Sequence, residues 1–181
     1  MRRLIILDRD GVINHDSPDF IKAPAEWSVI PGSAEAIGRL SAAGFLVAVA
    51  SNQSGIGRGY LDRATLYRIH RKMRRTVALH GGKIDRIVFC PHRPGEGCDC
   101  RKPAPGLLLR LLDYYGLQPS DAIAIGDSAR DIEAAEGAGI QPALVLTGNG
   151  LVTAARSHLD ARFVFPDLAH AVNAILDGRF H

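Results

Sequence analysis

Leu4-Ile5-Ile6-Leu7-Asp8-Arg9-Asp10-Gly11 is the stretch that decides the fold, because an apolar run leads directly into two carboxylates. Four consecutive apolar residues indicate a short strand buried on both faces, as in a parallel sheet. Asp8 and Asp10 follow at its C-terminal end, where open α/β sheets place their ligands. Gly11 permits a sharp turn that brings a carboxylate and a backbone carbonyl together, and such oxygens suit Mg²⁺. The alternative, a strand end capped by solvated acids, stays open on this stretch alone.

Length and composition favour an ordinary globular domain. The chain has 181 residues, enough to bury a substantial core, and we expect one domain over residues 1–181. A net charge of +3 is too small to argue for nucleic acid. No apolar run approaches the ~20 residues of a membrane span, and the run after Arg3 is too short for a signal peptide. We therefore expect a cytoplasmic protein with no nucleic-acid or membrane partner. A monomer is expected.

Predicted strands and helices alternate along the chain. Strands are expected at 4–7, 45–50, 86–89, 122–125, 143–146 and 162–165. Helices are expected at 34–43 with Ser33 as N-cap, at 62–79, between Pro105 and Gly116, from near Ser128 to Gly139, and at 166–176. Segments 12–31 and 147–150 are expected to be loops. Alternation of this kind predicts an α/β fold, a Rossmann-like parallel sheet with right-handed crossovers and helices on both faces.

Polar side chains follow four of the predicted strands, so a parallel sheet would gather them at one edge. They are Asp8 and Asp10, Ser51 and Asn52, Lys102 beyond a cysteine loop, and Asp127 and Asp131. Acids, a hydroxyl and a lysine together are the groups that handle a phosphate through a divalent cation.

A role can be assigned to each of these groups. Asp8 is suited to attack phosphorus and form an aspartyl-phosphate, and Asp10 to protonate the leaving oxygen and then deprotonate water. Asp127 would complete the Mg²⁺ site. Asp131, one helical turn away, would lie next to the metal ligands without binding the metal itself. The remaining two, Ser51 and Lys102, would hold the phosphoryl oxygens.

Four motifs resemble those of the haloacid dehalogenase superfamily of phosphohydrolases across nearly the whole chain. They are D-R-D-G-V at 8–12, S-N-Q-S-G at 51–55, R-K-P at 101–103 and G-D-S-x-x-D-I-x-A-A-x-x-A-G at 126–139. The resemblance implies that Asp8 is the nucleophile and that Asp10 is the acid/base. It also implies that Mg²⁺ is bound by Asp8, by Asp127 and by the backbone carbonyl of Asp10. Ser51 and Lys102 match the phosphate-holding positions; residue 51 is more often threonine in relatives, a change that keeps the hydroxyl.

Within that superfamily the chain resembles capless phosphatases of sugar bisphosphates and of histidinol phosphate. Segments 11–33 and 54–62 are too short for a large cap domain. The relatives' substrate-contacting positions correspond to Asp16, Ser17, Asp19, Ser51, Asn52, Gln53, Ser54, Arg101 and Lys102. Arg101 is suited to a second, non-reacting phosphate, because a guanidinium pairs bidentately with phosphate. The resemblance implies a Mg²⁺-dependent sugar-bisphosphate phosphatase that supplies precursors of the lipopolysaccharide core, with histidinol phosphate as the alternative substrate.

A short loop at residues 90–100 carries all three cysteines and one histidine. Cys90, His92, Cys98 and Cys100 make a Cys₃His set that suits tetrahedral Zn²⁺. Buried free cysteines beside a surface histidine are the alternative, and the same loop in the resembled subgroup favours zinc. Four protein ligands imply a structural ion that pins the loop delivering Arg101 and Lys102.

An alternative hypothesis, from a different functional class, is a nucleic-acid end phosphatase or a zinc-loop nucleic-acid binder. It depends on the cysteine loop and on a basic helix face, namely Arg63, Arg68, Arg71, Lys72, Arg74 and Arg75. No aromatic platform interleaves these residues, so a solvated helix face is expected instead. A non-catalytic phosphate sensor is disfavoured by the intact set of reactive groups. Solvated or packing roles are expected for His15, His70, His80, His158, His170 and His181.

Overall fold

The computed structural model describes residues 3–156 and 158–180, so His181 lies outside the described residues. Its six strands form one sheet in the order β3-β2-β1-β4-β5-β6. The strands are β1 Leu4–Leu7, β2 Leu46–Asn52, β3 Arg86–Cys90, β4 Ala122–Gly126, β5 Gln141–Val145 and β6 Val164–Phe165. All five pairings are parallel, as predicted. Because β1 lies between β2 and β4, the strand order reverses at β1, the position where such sheets bind ligands.

The helices cover both faces of the sheet. They are α1 Ser33–Ala42, α2 Ser54–Gly57, α3 Arg63–Leu79, α4 Gly106–Tyr115, α5 Ala129–Gly137, α6 Gly150–Ala154 and α7 Leu168–Leu176. The central strand contributes to both resulting cores, since successive side chains point to opposite faces. Ile5 and Leu7 pack in the cluster that contains α1, α3 and α7. Leu4 and Ile6 pack in the cluster that contains α4 and α5. The expected Rossmann-like fold with a doubly buried first strand is therefore confirmed.

Local differences from the predicted elements have tertiary causes. The prediction of Ser33 as an N-cap is wrong: Gly32, at φ 85°, occupies that position, and the Ser33 hydroxyl donates to the carbonyl of Val12 at 2.9 Å. The short helices α2 and α6 were not predicted, because four or five residues give no helical periodicity. The sixth strand has only two residues, since 161–163 form a 3₁₀ turn.

No helix in the described part of the chain is long and apolar enough to cross a membrane.

Candidate active site

Polar residues at the end of β2, and others that follow β1, β3 and β4, line one cavity of about 210 Å³ at the carboxyl edge of the sheet. The predicted site residues in this lining are Asp8, Asp10, Asp16, Ser17, Ser51, Asn52, Gln53, Ser54, Arg101, Lys102, Asp127 and Asp131. The parallel sheet thus gathers groups from four distant parts of the chain, as predicted. Asp19 is not part of this lining, and its contact with a substrate stays a prediction.

Lys102 lies at the centre of the cluster and is almost completely buried, at 4% exposure. Its ammonium donates to Asp8 Oδ1 at 2.9 Å, to Asp131 Oδ1 at 2.5 Å and to the carbonyl of Ala50 at 2.8 Å. The loop that carries it is fixed by Asn52, whose amide accepts from the Lys102 backbone N–H at 3.0 Å and donates to the Lys102 carbonyl at 2.9 Å. One side chain at the end of β2 therefore positions the lysine.

Asp127 is held by backbone that approaches it closely on two sides. Its Oδ2 accepts from the backbone N–H of Asn149 at 2.7 Å. A Cβ at Gly11 or at Gly148 would lie 2.2 Å from that same oxygen, and both glycines have positive φ. Only glycine fits at these two positions. The glycine after Asp10 thus has a second role besides the turn, since it makes room for a carboxylate from β4.

Burial sets the charge state of the acids. It raises the pKa of Asp8 to about 7, although the neighbouring Lys102 acts in the opposite direction. Burial also raises the pKa of Asp127 to about 6. For Asp131, burial is outweighed by the charge of Lys102 together with hydrogen bonds from Lys102 and Ser128, so its pKa is lowered. Burial alone would lower the pKa of Lys102, but Asp131 and Asp8 raise it instead. Lys102 and Asp131 therefore form a charged pair. The negative charges of Asp8 and Asp127 are not fully compensated by neighbouring positive groups.

The acids fit a divalent cation. One oxygen from each of Asp8, Asp127 and Asp131 lies within 4.8 Å of the other two. All donors in the group are carboxylate oxygens, the ligands that Mg²⁺ prefers. A cation would also supply the positive charge that the buried Asp8 and Asp127 lack.

The rim of the cavity carries residues that the sequence did not single out. Arg130, in the first turn of α5, lines the cavity with Arg101. Burial lowers the pKa of Arg101, and the positive charge of Arg130 lowers it further, so the two guanidinium groups are close enough to interact. Phe20 also lines the cavity; it is the one non-glycine residue with positive φ, 63°, among the described residues. In sequence, Arg130 occupied a variable position of its motif and carried no signal.

The Cys₃His set is assembled as predicted. Cys90 Sγ lies 3.5 Å from His92 Nδ1 and 3.7 Å from Cys98 Sγ, and Cys100 Sγ lies 3.4 Å from His92 Nδ1. Tetrahedral Zn–S and Zn–N bonds separate neighbouring ligands by about 3.5–3.8 Å, so these distances fit the ion. Burial raises the pKa of the Cys90 and Cys100 thiols, whereas hydrogen bonding, chiefly from the Arg101 backbone, outweighs burial and lowers the pKa of Cys98 to about 7. A bound cation would favour the thiolate form of all three.

The basic face of α3 is partly engaged within the protein. Lys72 donates to the carbonyls of Pro24 and Trp27, both at 2.7 Å. Arg74 donates to the carbonyl of Ile84, and the Arg63 guanidinium lies 5.6 Å from the centre of the Phe89 ring. These contacts attach α3 to neighbouring loops and to β3. They give a structural reason for half of the basic residues on this helix.

Comparison with known proteins gives a consistent result. A family model described as HAD-hydrolase-like matches residues 99–171. A D-glycero-beta-D-manno-heptose-1,7-bisphosphate 7-phosphatase from Pseudomonas aeruginosa is 51% identical over 175 residues, 97% of this chain and 98% of that protein. The protein of the same name from Bordetella bronchiseptica is 49% identical, over 96% of this chain and 98% of that protein.

Solved structures agree with the curated relatives. The crystal structure of D,D-heptose 1,7-bisphosphate phosphatase from B. bronchiseptica, complexed with magnesium and phosphate, has a TM-score of 0.93 and 47% identity, with 97% of this chain and 99% of that chain covered. The corresponding phosphatase from Burkholderia thailandensis has a TM-score of 0.74 and 40% identity, with the same coverage. These matches confirm the predicted resemblance. Among the sugar-bisphosphate phosphatases, the resemblance is to the heptose 1,7-bisphosphate 7-phosphatases. The chain is a phosphoric monoester hydrolase that belongs to the heptose 1,7-bisphosphate 7-phosphatase family of haloacid dehalogenase-like hydrolases.

Proposed function

We propose that this protein removes the 7-phosphate from D-glycero-β-D-manno-heptose 1,7-bisphosphate through an aspartyl-phosphate on Asp8. The observation that carries the proposal is the cavity in which Asp8 lies 2.9 Å from the ammonium of Lys102, with Ser51, Asp10 and Asp127 in the same lining. The names of relatives that share about half of the residues support the heptose substrate and its β anomer. The associated roles, ADP-heptose supply for the lipopolysaccharide core and a cytoplasmic location, are part of the proposal.

The first step assigns bond making to Asp8 and proton transfer to Asp10. A carboxylate oxygen of Asp8 attacks phosphorus, the bond between phosphorus and the sugar oxygen breaks, and Asp10 gives that oxygen its proton. In the second step Asp10 takes a proton from water, which attacks phosphorus and releases inorganic phosphate from Asp8. Both residues are thereby returned to their starting states.

Ser51 and Lys102 bind the oxygens of the reacting phosphoryl group. The Ser51 hydroxyl is buried and accepts a hydrogen bond from Gln53 at 2.7 Å, so its own proton remains for a phosphoryl oxygen. Lys102 is fixed by three acceptors and presents positive charge beside the attacking carboxylate. Preorganised donors of this kind stabilise charge that develops in the transition state.

Magnesium would be held by Asp8, Asp127 and the carbonyl of Asp10. When bound, it would neutralise charge on the phosphoryl oxygens and orient them for in-line attack. Asp131 supports the site from behind: one of its oxygens binds Lys102, and the other accepts from the backbone and hydroxyl of Ser128 at 3.0 and 2.6 Å. Magnesium in the B. bronchiseptica relative supports the same cation here.

The second phosphate would be held by Arg101 and Arg130. Both residues line the active cavity, and both also line a groove of about 480 Å³ beside it. A bisphosphate placed with one phosphate at Asp8 would direct its other end along this groove. Two guanidinium groups can grip that end, whereas histidinol phosphate offers them no anion.

The Cys₃His set would hold a structural Zn²⁺ through Cys90, His92, Cys98 and Cys100. All four donors come from the protein, which leaves no open position for a substrate. Arg101 donates to the carbonyl of His92 at 3.2 Å, so the metal loop contacts the arginine of the second phosphate site. Loss of the ion would therefore loosen Arg101 before it affects Asp8.

Phosphate release tests the proposal. Wild-type protein with Mg²⁺ is given heptose 1,7-bisphosphate, histidinol phosphate and short 3′-phosphorylated DNA in parallel. We expect the highest kcat/KM on heptose bisphosphate. A higher kcat/KM on histidinol phosphate would restore the alternative substrate, and a preference for the DNA would restore the nucleic-acid reading.

A further inference from the structure

The carboxylate of Asp10 has no unused acceptor position. Each of its oxygens offers two lone pairs. Oδ1 accepts from Arg9 Nε at 3.0 Å and from Asn14 Nδ2 at 2.8 Å. Oδ2 accepts from Arg9 Nη2 at 3.0 Å and from Gln53 Nε2 at 3.2 Å. A leaving oxygen can reach Asp10 only if one of these donors withdraws.

Arg9 is the donor that grips both oxygens, and it is buried to an unusual degree for an arginine, with 1% exposure. Its Nη1 and the Nε2 of His70 are two of the four buried side-chain atoms without a hydrogen-bond partner among the described residues. Burial, followed by the charge of Arg9, lowers the pKa of His70 to about 3, so this histidine is neutral. The pair with Asp10 is therefore the main compensation for a buried cation, and such pairs are costly to break.

Gln53 is the donor that is easiest to displace. Its contact with Asp10 is the longest of the four, and the same amide nitrogen already donates to Ser51 at 2.7 Å. Withdrawal of Gln53 toward Ser51 would open one position on Oδ2. The proton that Asp10 gives to the leaving oxygen would be held there, while Arg9 keeps the carboxyl plane fixed. The Asp10 side chain is 22% exposed, and it lines the active cavity.

We propose that Arg9 is a positioning residue for the proton transfers of Asp10, with its bidentate grip keeping Oδ2 aimed at the leaving oxygen. The inference rests on the proposed function of Asp10. It assigns a role to a buried arginine in the lining of the active cavity.

Two substrates with different leaving groups separate this role from a merely structural one. A sugar alkoxide needs a proton as it leaves, whereas p-nitrophenolate leaves without one. For both substrates kcat/KM covers only the steps up to departure of the leaving group. We expect Arg9→Met to lower kcat/KM by about 10- to 100-fold on heptose bisphosphate and by less than about threefold on p-nitrophenyl phosphate. Arg9→Lys keeps the charge but cannot bridge two oxygens. We therefore expect a smaller loss of kcat/KM on heptose bisphosphate than for Arg9→Met, again with little loss on p-nitrophenyl phosphate.

Lys72→Met is the matched control, because it removes a half-buried cation that holds the carbonyls of Pro24 and Trp27. We expect it to change kcat/KM on the two substrates by the same factor. Equal losses in the Arg9 variants, or no loss on either substrate, would overturn the inference. If Arg9→Met does not fold, Arg9→Lys decides by the same ratio. Wild-type inactivity on heptose bisphosphate would instead count against the proposed function, and the ratio would then be measured with glycerol 3-phosphate.

Discussion

The two candidate metal sites of this protein are built in opposite ways. Asp8 lies more than a hundred residues before Asp127 and Asp131, and all three carboxylates line one cavity. Two of them, Asp8 and Asp131, pair with the buried Lys102. The four sulfur and nitrogen donors come from one loop of eleven residues, Cys90 to Cys100. The first cluster requires the whole sheet, whereas the second requires a local loop and β3.

The difference in donors gives each cluster a different capacity. Hard oxygens with uncompensated charge suit an exchangeable Mg²⁺ and a phosphate, while three soft thiolates and one imidazole that fill all four positions suit a permanent Zn²⁺. The comparison predicts that changes in the carboxylate cluster stop the chemistry without unfolding the protein. Changes in the Cys₃His set should weaken the structure first and the chemistry second.

Asp8→Asn gives the sharpest form of this contrast. An amide nearly matches the carboxylate in shape but cannot attack phosphorus, so we expect turnover to fall by roughly a thousandfold or more with an unchanged far-UV circular dichroism spectrum. Asp177→Asn, the same change at an exposed position, should leave the rate unaltered. Substantial activity in Asp8→Asn would mean that water attacks phosphorus directly.

The double variant Cys98→Ser with Cys100→Ser tests the other cluster. Elemental analysis of protein purified without added zinc should give about one Zn²⁺ per chain for wild type and none for the variant. We expect the melting temperature to fall by several degrees and kcat/KM by only about tenfold, because Arg101 and Lys102 lose a support rather than their chemistry. Zinc retained by the variant would remove the site from the account.

Arg101→Ala tests the contact between the two regions. A charge-assisted contact with a phosphate is worth roughly 1.5–3 kcal/mol, or about 10- to 100-fold in kcat/KM. The loss should appear on heptose 1,7-bisphosphate and be far smaller on histidinol phosphate, and Arg130→Ala should behave in the same way. Arg179→Ala, at an exposed site on the C-terminal segment, is the control. Equal losses on both substrates would place Arg101 at the shared phosphate or in the loop fold.

Magnesium should stabilise the protein more at pH 8 than at pH 5.5. In the metal-free protein Asp8 and Asp127 have pKa values raised to about 7 and 6, against 3.8 in the unfolded chain. Between pH 3.8 and 7 the folded state holds protons that the unfolded state has released, so its stability falls as pH rises. The cation binds the ionised acids and offsets this loss at high pH. A melting-temperature increase of a few degrees at pH 8 and almost none at pH 5.5 is expected; equal increases would contradict the raised pKa values.

Residues whose role follows from contiguous sequence were predictable, and residues whose role depends on packing were not. Asp8 and Asp10 follow an apolar run whose burial on both faces defines a central strand, and the Cys₃His donors lie within one loop. Arg130 matters because α5 begins beside the cavity, which no pattern in its own segment shows. Arg9 looks solvated in sequence because it lies between two aspartates, yet it is almost fully buried. Ser33 has the right type for an N-cap, but a distant carbonyl takes its hydroxyl.

The most direct test follows the two phosphates of heptose 1,7-bisphosphate by ³¹P NMR during turnover with Mg²⁺. We expect the signal of the 7-phosphate to be replaced by inorganic phosphate while the anomeric 1-phosphate signal persists, and no change with Asp8→Asn. Loss of the anomeric signal, or no release by the wild-type protein, would contradict the account.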